Sequence, residues 1–345
     1  MNDQVFKYKN FTYLLEAGNH KVITDPIKEE PETIFKYYYN NDNSLDAFIK
    51  SYLFATHPFS FNDSIDSSEL LLNLENISIE RYIGMFKRLM IPKVFSKYDF
   101  EQLFPDDRKN SFSFARKYFY EFFTRQVGLI SLTTQPLNIL MWSHYSSESG
   151  FIIELDKKCL ISNLKQLNHD INNYCFRPIQ YVEELESLDM FQDAFNTPDL
   201  SFLYMTNVKR KEWEYEDEWS LAIYKNDMGI PFSFLYPGIE NYKGSQDRKI
   251  YYSKECIKSI VLGKHFFNGK NCSKVDDNLS YTLSDNKFLD IVNYLFENHN
   301  DKIFISGEIE KDTKFGRSVS RIELSKISEN KFKLIDLKEI YTLQK

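Results

Sequence analysis

The sequence predicts an α+β fold in which helices flank a mixed, largely antiparallel sheet. Hydrophobic residues make up 42% of the 345 residues and aromatic residues 16%, as in a packed globular protein. Strand-like segments stand singly between helical ones and again in a closing run of three, without the regular strand–helix alternation of a parallel sheet. No internal repeat or low-complexity segment interrupts this order.

The amino-terminal part supplies elements of both kinds. Residues 1–30 are polar and weakly patterned, and we predict a lead-in loop there. Strands are then predicted from β-branched and aromatic residues, and helices from a capping residue or helical periodicity. They are a strand at 33–39, a helix at 44–52, a strand at 53–57, helices at 77–90 and 107–123, and a strand at 127–134.

The middle of the chain contains a helix, QPLNILMWSHYS, whose first turn we assign to Pro136 because proline favours that position. Gly150 ends this helix, and the apolar strand FIIELD follows. Further on, WEYEDEW (213–219) is predicted to open a strand that continues into LAIY. The other predicted elements are strands at 177–182, 249–253 and 256–263, helices at 201–212 and 287–299, and three closing strands.

We expect this order to form one main domain at 31–265, with the helix and strands of 266–345 packed on it. The net charge of −7 disfavours non-specific nucleic-acid binding by the whole chain. With no signal-peptide layout and no run of about 18 apolar residues, we expect a cytoplasmic protein without a membrane partner.

The four cysteines, at 159, 175, 256 and 272, form no Cys-x-x-Cys pair. We therefore expect reduced thiols, with neither a metal site nor a disulfide framework. Only eleven glycines occur, none in a Gly-x-Gly arrangement and none before a Lys-Ser or Lys-Thr pair. That excludes the phosphate-binding loop and the dinucleotide fingerprint of doubly wound folds.

The segment WEYEDEW places Glu214, Glu216 and Glu218 on one face of the predicted strand. Neighbouring carboxylates about 7 Å apart repel by about 0.6 kcal/mol in water and by more than about 2 kcal/mol when half-buried. Such a face is solvated, paired with cations such as those of Lys209, Arg210 and Lys211, or reserved for a ligand.

Four motifs in order carry a family resemblance. They are KYYY with LFATHPFSFND, VGLISLTT with LMWSHYSSESGFIIELD, KRKEWEYEDEW, and IKSIVLG. Together they resemble the bacterial family of proteins of unknown function DUF2971, over about residues 33–265. That family usually places arginine directly after the Glu-Trp pair, where this chain has Ser220. The family name implies no activity.

A more remote resemblance is to ADP-ribosyltransferase-like enzymes, which also lack both glycine motifs. Those enzymes combine a first strand bearing His or Arg, a strand-to-helix segment with a tyrosine that stacks on nicotinamide, and a late strand bearing Glu. This chain has Lys36 where the resemblance requires His or Arg. The matching residues are Lys36 and Tyr37, then Ser131, Thr133, Trp142, His144 and Tyr145, then Glu216 and Glu218.

This resemblance implies an ADP-ribosyltransferase or NAD glycohydrolase with NAD as its substrate and no metal. Breaking the nicotinamide–ribose bond develops positive charge on the ribose, which a fixed carboxylate stabilises. Glu218 would be that catalytic acid, and Glu216 would orient or deprotonate the acceptor, a protein or a nucleic acid. The implied setting is an effector in phage defence or toxin–antitoxin conflict, with a cognate inhibitor or defence-system protein as partner.

Other residues leave two interpretations open. Asn62 and Asp63 either cap a turn or contact the ligand, with Asn62 bonding an amide and Asp63 a ribose hydroxyl. Trp142 either packs in the core or lines the pocket. His144 lies one residue off the apolar stripe and is a candidate proton shuttle.

Two further functions are compatible with the sequence. Glu154 and Asp156, followed by Lys157, are typical of strand-borne acids that bind Mg²⁺ in nucleases, although no third acid is placed near them. A sheet with exposed acids and aromatic residues also suits a non-enzymatic partner-binding or regulatory module.

Overall fold

The fold is built around an 11-stranded sheet in a mixed, largely antiparallel arrangement, which confirms the predicted α+β class. The computed structural model describes residues 4–8, 11–16, 19–23, 27–74, 78–88, 101, 108–190, 199–230, 245–268, 272–276, 279–311 and 314–340.

The strands within these ranges are numbered in chain order. They are β1 (Gln4–Tyr8), β2 (Phe11–Glu16), β3 (Asn19–Ile23), β4 (Thr33–Tyr38), β5 (Tyr52–Phe54), β6 (Leu72–Asn73), β7 (Val127–Thr133), β8 (Phe151–Asp156), β9 (Asn173–Pro178), β10 (Gln180–Val182), β11 (Leu188–Asp189), β12 (Val208–Arg210), β13 (Glu218–Tyr224), β14 (Lys249–Tyr251), β15 (Ile257–Leu262), β16 (Cys272–Asp276), β17 (Ser280–Leu283), β18 (Ile303–Lys311), β19 (Lys314–Ser328) and β20 (Lys331–Ile340).

The α-helices of the described residues are α1 (Asp42–Ile49), α2 (Ile79–Arg88), α3 (Arg108–Thr124), α4 (Ile139–Ser146), α5 (Lys157–Leu167), α6 (Asp199–Met205) and α7 (Asn286–His299). Helix α4 begins three residues after Pro136, because the side chain of Asn138 caps it by accepting from the N–H groups of Leu140 and Met141. None of the helices in the described ranges has the length and apolar character needed to cross a bilayer.

The main sheet has the order β16-β17-β20-β19-β18-β15-β8-β4-β7-β13-β9. Its neighbouring strands are antiparallel except for β15 and β18. Strand β4 pairs with β8 along its whole length but meets β7 only where Phe35 faces Thr133. Further along β7, Leu129 bridges Thr56 instead. The two central strands therefore part, and this parting positions the candidate site.

Successive side chains of the central strands point to opposite faces of the sheet, and both faces are buried. In β8, Phe151, Ile153 and Leu155 belong to the large core, to which α1, α5 and α7 contribute their apolar residues. Ile152 lies in a smaller cluster with Trp142 of α4. Helices thus cover both faces, and α4 is fixed beside the point where β4 and β7 part.

The prediction of a loop over residues 1–30 is wrong for residues 4–8, 11–16 and 19–23, whereas residues 27–30 have no regular secondary structure. Strands β1, β2 and β3 form a three-stranded antiparallel sheet. Tyr13 and Val22 are buried in it, and the guanidinium of Arg177 donates to the hydroxyl of Tyr13 over 3.1 Å. Apolar and polar residues alternate too weakly in this stretch for the sequence to indicate strands.

Two of the four cysteines are joined, so the expectation of reduced thiols is wrong for them. Cys159 and Cys256 form a disulfide across a sequence separation of 97, with Cα atoms 5.3 Å apart. Cys159 follows β8 and Cys256 precedes β15, and these strands pair so that Leu155 faces Ile257. The pairing brings both cysteines to one end of the sheet, which sequence spacing did not show.

The carboxy-terminal strands extend the same sheet and reach back to helix α4. Arg317 of β19 binds the carboxylate of Glu148 through both terminal nitrogens, with Nη1 2.9 Å from Oε2. Its guanidinium also lies 5.0 Å from the ring centre of Trp142. This contact anchors the end of α4 against the far half of the sheet.

Candidate functional site

The acidic segment 213–219 is not the strand that its alternation predicted. Lys211–Glu216 is a 3₁₀ helix, Asp217 has a left-handed backbone with φ 41°, and β13 begins at Glu218. Long-range contacts fix this turn: Asn138 donates to the carbonyl of Tyr215 over 3.0 Å, and Lys28 pairs with Asp217 over 2.7 Å. Such contacts outweigh the local strand preference.

The turn separates the three glutamates that a strand would have aligned. Glu214 is exposed, whereas Glu216 and Glu218 are 3% and 4% exposed. These two side chains point together into the protein because the left-handed residue between them reverses the chain. The predicted arrangement, with Glu216 and Glu218 on one side, is therefore present. It is produced by a turn and not by the predicted strand.

The preceding segment also differs from the helix predicted at 201–212. Helix α6 ends at Met205, and Val208–Arg210 forms β12, parallel to β10. The strand alternation turns Lys209 inward and leaves Arg210 and Lys211 at the surface, where they pair with Glu212 and Glu183. Of the three cations upstream of the acids, Lys209 alone reaches them.

Lys209 lies at the centre of a buried ionic cluster. Its ammonium nitrogen is 2.6 Å from Glu218, 3.3 Å from Glu216 and 3.1 Å from Asp66. All four side chains are at least nine-tenths buried. Three carboxylates around one ammonium leave an excess of negative charge, which burial makes costly unless a proton or a further cation is bound.

The two glutamates differ in their protonation. Burial raises the pKa of Glu216 to about 7, although Lys209 opposes that shift. Burial acts to raise the pKa of Glu218 as well, but the closer Lys209 ammonium outweighs it and lowers this pKa. At neutral pH, Glu218 is therefore ionised while Glu216 exchanges a proton, a division of states typical of catalytic acid pairs.

A cavity of 380 Å³ opens where β4 and β7 part. It is lined by eight of the predicted site residues together with Lys209; the eight are Lys36, Tyr37, Asn62, Ser131, Thr133, Tyr145, Glu216 and Glu218. Phe61 and Tyr39 add aromatic surface to its wall. The cavity thus combines apolar walls with a few converging polar groups, as small-molecule sites do.

A hydrogen-bonded chain connects the loop of Phe61, Asn62 and Asp63, here called the Asn62 loop, to the two glutamates. The hydroxyl of Tyr145 donates to Glu216, and the side-chain amide of Asn62 donates to that hydroxyl over 3.5 Å. Burial and the charge of Glu216 raise the pKa of Tyr145, so the phenol stays protonated. Glu216 is held in place from the side opposite Lys209.

Lys36 spans the parting of the strands. Its ammonium on β4 donates to the carbonyl of Ser131 on β7 over 3.0 Å. Burial lowers the pKa of Lys36 to about 8, while the charges of Glu218 and Glu216 favour its protonated form. Lys36 therefore supplies a second cation to the cavity at neutral pH, where the resemblance required His or Arg.

Three predicted ligand-binding residues do not line the cavity. Trp142 is fully buried, donates to the carbonyl of Pro136 over 2.8 Å and packs on Tyr37. Asp63 accepts from the indole of Trp213 over 2.9 Å, and His144 lies on the exposed side of α4. Tertiary packing thus assigns Trp142 to the core, and the other two to the surface beside the cavity.

Sequence reasoning missed the importance of Lys209, Asp66 and Tyr181. Lys209 was predicted only as one of three counter-charges, and Asp66 lies 143 residues before it in a turn-rich stretch. The hydroxyl of Tyr181 accepts from the backbone N–H of Glu218 over 2.9 Å. No spacing rule connects these positions, because β10, β12 and the Asn62 loop meet only in the folded chain.

A larger groove of 880 Å³ lies beside α1 and shares Lys36 and Thr56 with the cavity. Four of its charged residues form two ion pairs, Lys249 with Asp46 over 3.4 Å and Lys287 with Asp42. Neither Glu216 nor Glu218 lines it. The smaller cavity is therefore the better candidate for chemistry.

The acids of the nuclease interpretation serve the fold. Glu154 accepts a hydrogen bond from Ser259 on β15, and Asp156 caps α5 by accepting from the N–H of Cys159 over 2.7 Å. Among the residues that the structure describes, no group of three or more His, Cys, Asp or Glu side chains is arranged to hold a metal ion.

Comparison with models of protein families finds a match to part of the chain. The model of the family DUF2971, described as a protein of unknown function, matches residues 141–220. That segment runs from α4 to β13 and contains Tyr145, Lys209, Glu216 and Glu218. No curated protein and no solved structure matches the chain. The match supports the resemblance to DUF2971 over this segment and assigns no activity.

Proposed function

We propose that the protein cleaves the bond between nicotinamide and ribose in NAD, as a glycohydrolase or an ADP-ribosyltransferase. The observation that supports this is the convergence of Glu216 and Glu218 with Asn62 and Tyr145 in one cavity. Had these two carboxylates pointed into bulk solvent, away from the Asn62 loop, the proposal would have lost its basis.

The chemistry assigns different work to the two acids. When the C1′–N bond breaks, its electron pair leaves with nicotinamide and the ribose becomes positively charged. The ionised Glu218 stabilises that charge, and its effect is large because the site is buried. Glu216 takes the proton that water or another nucleophile releases as it bonds to C1′, a task suited to a base with a pKa of about 7.

The cavity suits one end of the dinucleotide. Its 380 Å³ lies in the range of small-molecule sites and accommodates a nicotinamide with its ribose. The side-chain amide of Asn62 complements the carboxamide of nicotinamide, and the rings of Phe61 and Tyr39 offer apolar surface to the pyridine ring. The acceptor of a transferred ADP-ribosyl group would be a protein or a nucleic acid.

Release of nicotinamide from NAD tests this proposal. The Glu218→Gln variant keeps the shape and loses the charge, so we expect nicotinamide release to fall by about a hundredfold or more. Glu214→Gln is the matched control, since Glu214 is exposed on the same segment and should leave the rate unchanged.

Chromatography of the reaction would measure nicotinamide, and mass spectrometry would detect ADP-ribose attached to added protein or nucleic acid. If the wild-type protein binds NAD but releases no nicotinamide, with or without added protein or nucleic acid, the enzymatic proposal is contradicted. The partner-binding module would then be favoured.

An NAD-consuming activity also suits the proposed setting, an effector in phage defence or toxin–antitoxin conflict, because loss of NAD stops growth of the cell. A cognate inhibitor or defence-system protein would then be the partner that restrains it.

A further inference from the structure

We propose that a shallow surface site beside the cavity binds a purine base, and that it holds the adenine of NAD while the other end of the dinucleotide enters the cavity. The second half of this statement rests on the proposed function. The site is a depression of 560 Å³ that shares Asn62 with the cavity. Trp213, Tyr215 and His144 form its aromatic part.

Polar contacts hold these rings by their edges. The indole N–H of Trp213 donates to Asp63 over 2.9 Å, and the hydroxyl of Tyr215 is 3.0 Å from the Nδ1 atom of His144. The centres of the Trp213 and Tyr215 rings are 6.1 Å apart and their planes are inclined at 37°. The two rings therefore do not stack on each other, and both line the depression.

The rings and the catalytic pair belong to one turn. Trp213, Tyr215 and Glu216 lie in the 3₁₀ helix Lys211–Glu216, in which side chains three residues apart lie on the same side. Trp213 and Glu216 are so spaced, and the side chain of Glu216 lines the cavity while that of Trp213 lines the depression. A ligand that contacts both sites would therefore lie along one 3₁₀ helix and pass Asn62, which lines both sites.

The chemistry of the depression favours a flat aromatic ligand. Every base has a π-face, and stacking on a fixed aromatic side chain contributes about 1–3 kcal/mol per base. A purine covers two ring centres at this separation better than a single-ring base does. The Arg210 guanidinium and the Asn62 amide at the rim add hydrogen-bond donors for ring nitrogens or for the adjoining ribose.

Calorimetric titration of the whole chain with adenosine, and with ribose as the base-free comparison, tests the site. We expect adenosine to bind and ribose not to bind. Trp213→Leu and Tyr215→Leu should each weaken adenosine binding about tenfold. Glu214→Gln is the matched control on the same turn. Trp213 is also the one incompletely buried residue among the three tryptophans, so adenosine should quench the fluorescence of the wild-type chain.

The outcomes separate this proposal from the enzymatic one. Equal binding of adenosine and ribose, or adenosine affinity unchanged in both folded leucine variants, would overturn the base site. If adenosine binding depends on Trp213 while NAD releases no nicotinamide, the base site stands and the proposed function fails. If NAD is cleaved with the same KM in the wild type and both variants, the proposed function stands and the assignment of this site to the adenine of NAD fails.

Discussion

Lys209 governs the electrostatics of the cavity, because its ammonium is the cation that contacts Glu216, Glu218 and Asp66. Burial would lower the pKa of this lysine, but the three carboxylates raise it well above its usual value. A buried cation and its carboxylate partners together contribute little net stability. Removal of the cation is nevertheless costly, because the carboxylates then stay buried without an opposite charge.

We predict that Lys209→Met lowers the free energy of unfolding by about 3–5 kcal/mol at pH 8. Without the ammonium, burial raises the pKa of all three carboxyls above their values in the unfolded chain. Stability is then lost as pH rises through those pKa values, so the difference from the wild type should shrink toward pH 5. Urea unfolding at the two pH values measures this.

The control for that experiment is Lys211→Met, two residues further along. Lys211 pairs with Glu183 at the surface, where both side chains are more than half exposed. Its removal should change the free energy of unfolding by less than about 1 kcal/mol at either pH. A Lys209→Met effect of the same size as this control, or one that grows toward acid pH, would refute the buried cluster.

Among single residues, the sequence predicted the acids and missed how the chain presents them. Glu216 and Glu218 were identified from their i, i+2 spacing, and both lie in the cavity. The spacing suggested a strand, but Asp217 adopts a left-handed conformation that Lys28 and Thr134 hold through its side chain. Those contacts come from distant parts of the chain, so no local pattern revealed them.

At the scale of elements, the junction of α4 and β8 depends on a close approach that only glycine allows. A Cβ atom on Gly150 would lie 1.9 Å from the carbonyl oxygen of Tyr38 on β4 and 3.0 Å from the Cβ of Ser146. Both neighbours belong to the elements that carry the cavity walls. The prediction that Gly150 ends the helix is wrong, since α4 ends at Ser146 with the left-handed Ser147 as its cap. Gly150 instead permits the close approach of α4 and β4.

We predict that Gly150→Ala destabilises the protein by about 1–3 kcal/mol, because the backbone of β4 must move to admit a methyl group. Gly84→Ala is the opposite case: nothing lies within 4 Å of its Cβ position, and Gly84 is inside helix α2. That substitution should stabilise by up to about 1 kcal/mol. Thermal unfolding of the two variants should shift in opposite directions; equal shifts would contradict the close contact.

Element prediction succeeded where a hydrophobic pattern was strong. The strand at 33–39, the strand FIIELD and the helix at 287–299 are present as β4, β8 and α7, with small shifts at their ends. It failed for β1–β3, where apolar and polar residues alternate too weakly, and for β12, where three residues pair with β10 only in the folded chain. Hydrophobic periodicity in a sequence indicates which face of an element is buried. Short or partly exposed strands have too few buried positions for this periodicity to be recognised.

Across the whole molecule, one covalent bond ties distant segments of the sheet together. The disulfide between Cys159 and Cys256 closes a loop of about a hundred residues, which includes β12, the acidic turn and β13. Such a link limits the freedom of the unfolded chain and so favours the folded state. Cys175 and Cys272 are buried and take no part in a disulfide.

We predict that the double variant Cys159→Ala, Cys256→Ala lowers the free energy of unfolding by about 2–4 kcal/mol. Treatment of the wild type with dithiothreitol should give a similar loss, whereas the double variant should not respond to it. Urea unfolding with and without the reductant measures both effects. A wild-type chain that is equally stable in either condition would show that the bond is not formed in solution.

The parting of β4 and β7 has a consequence for how a guest molecule would affect the sheet. Beyond Phe35 and Thr133 these two strands do not pair with each other, and the ammonium of Lys36 bridges them at Ser131. A planar carboxamide carries both N–H and C=O groups, so it can form hydrogen bonds with the backbones of both strands where they do not pair. A bound carboxamide would then link β4 to β7 by hydrogen bonds. Amide hydrogen exchange along both strands should therefore be slower when the ligand is present.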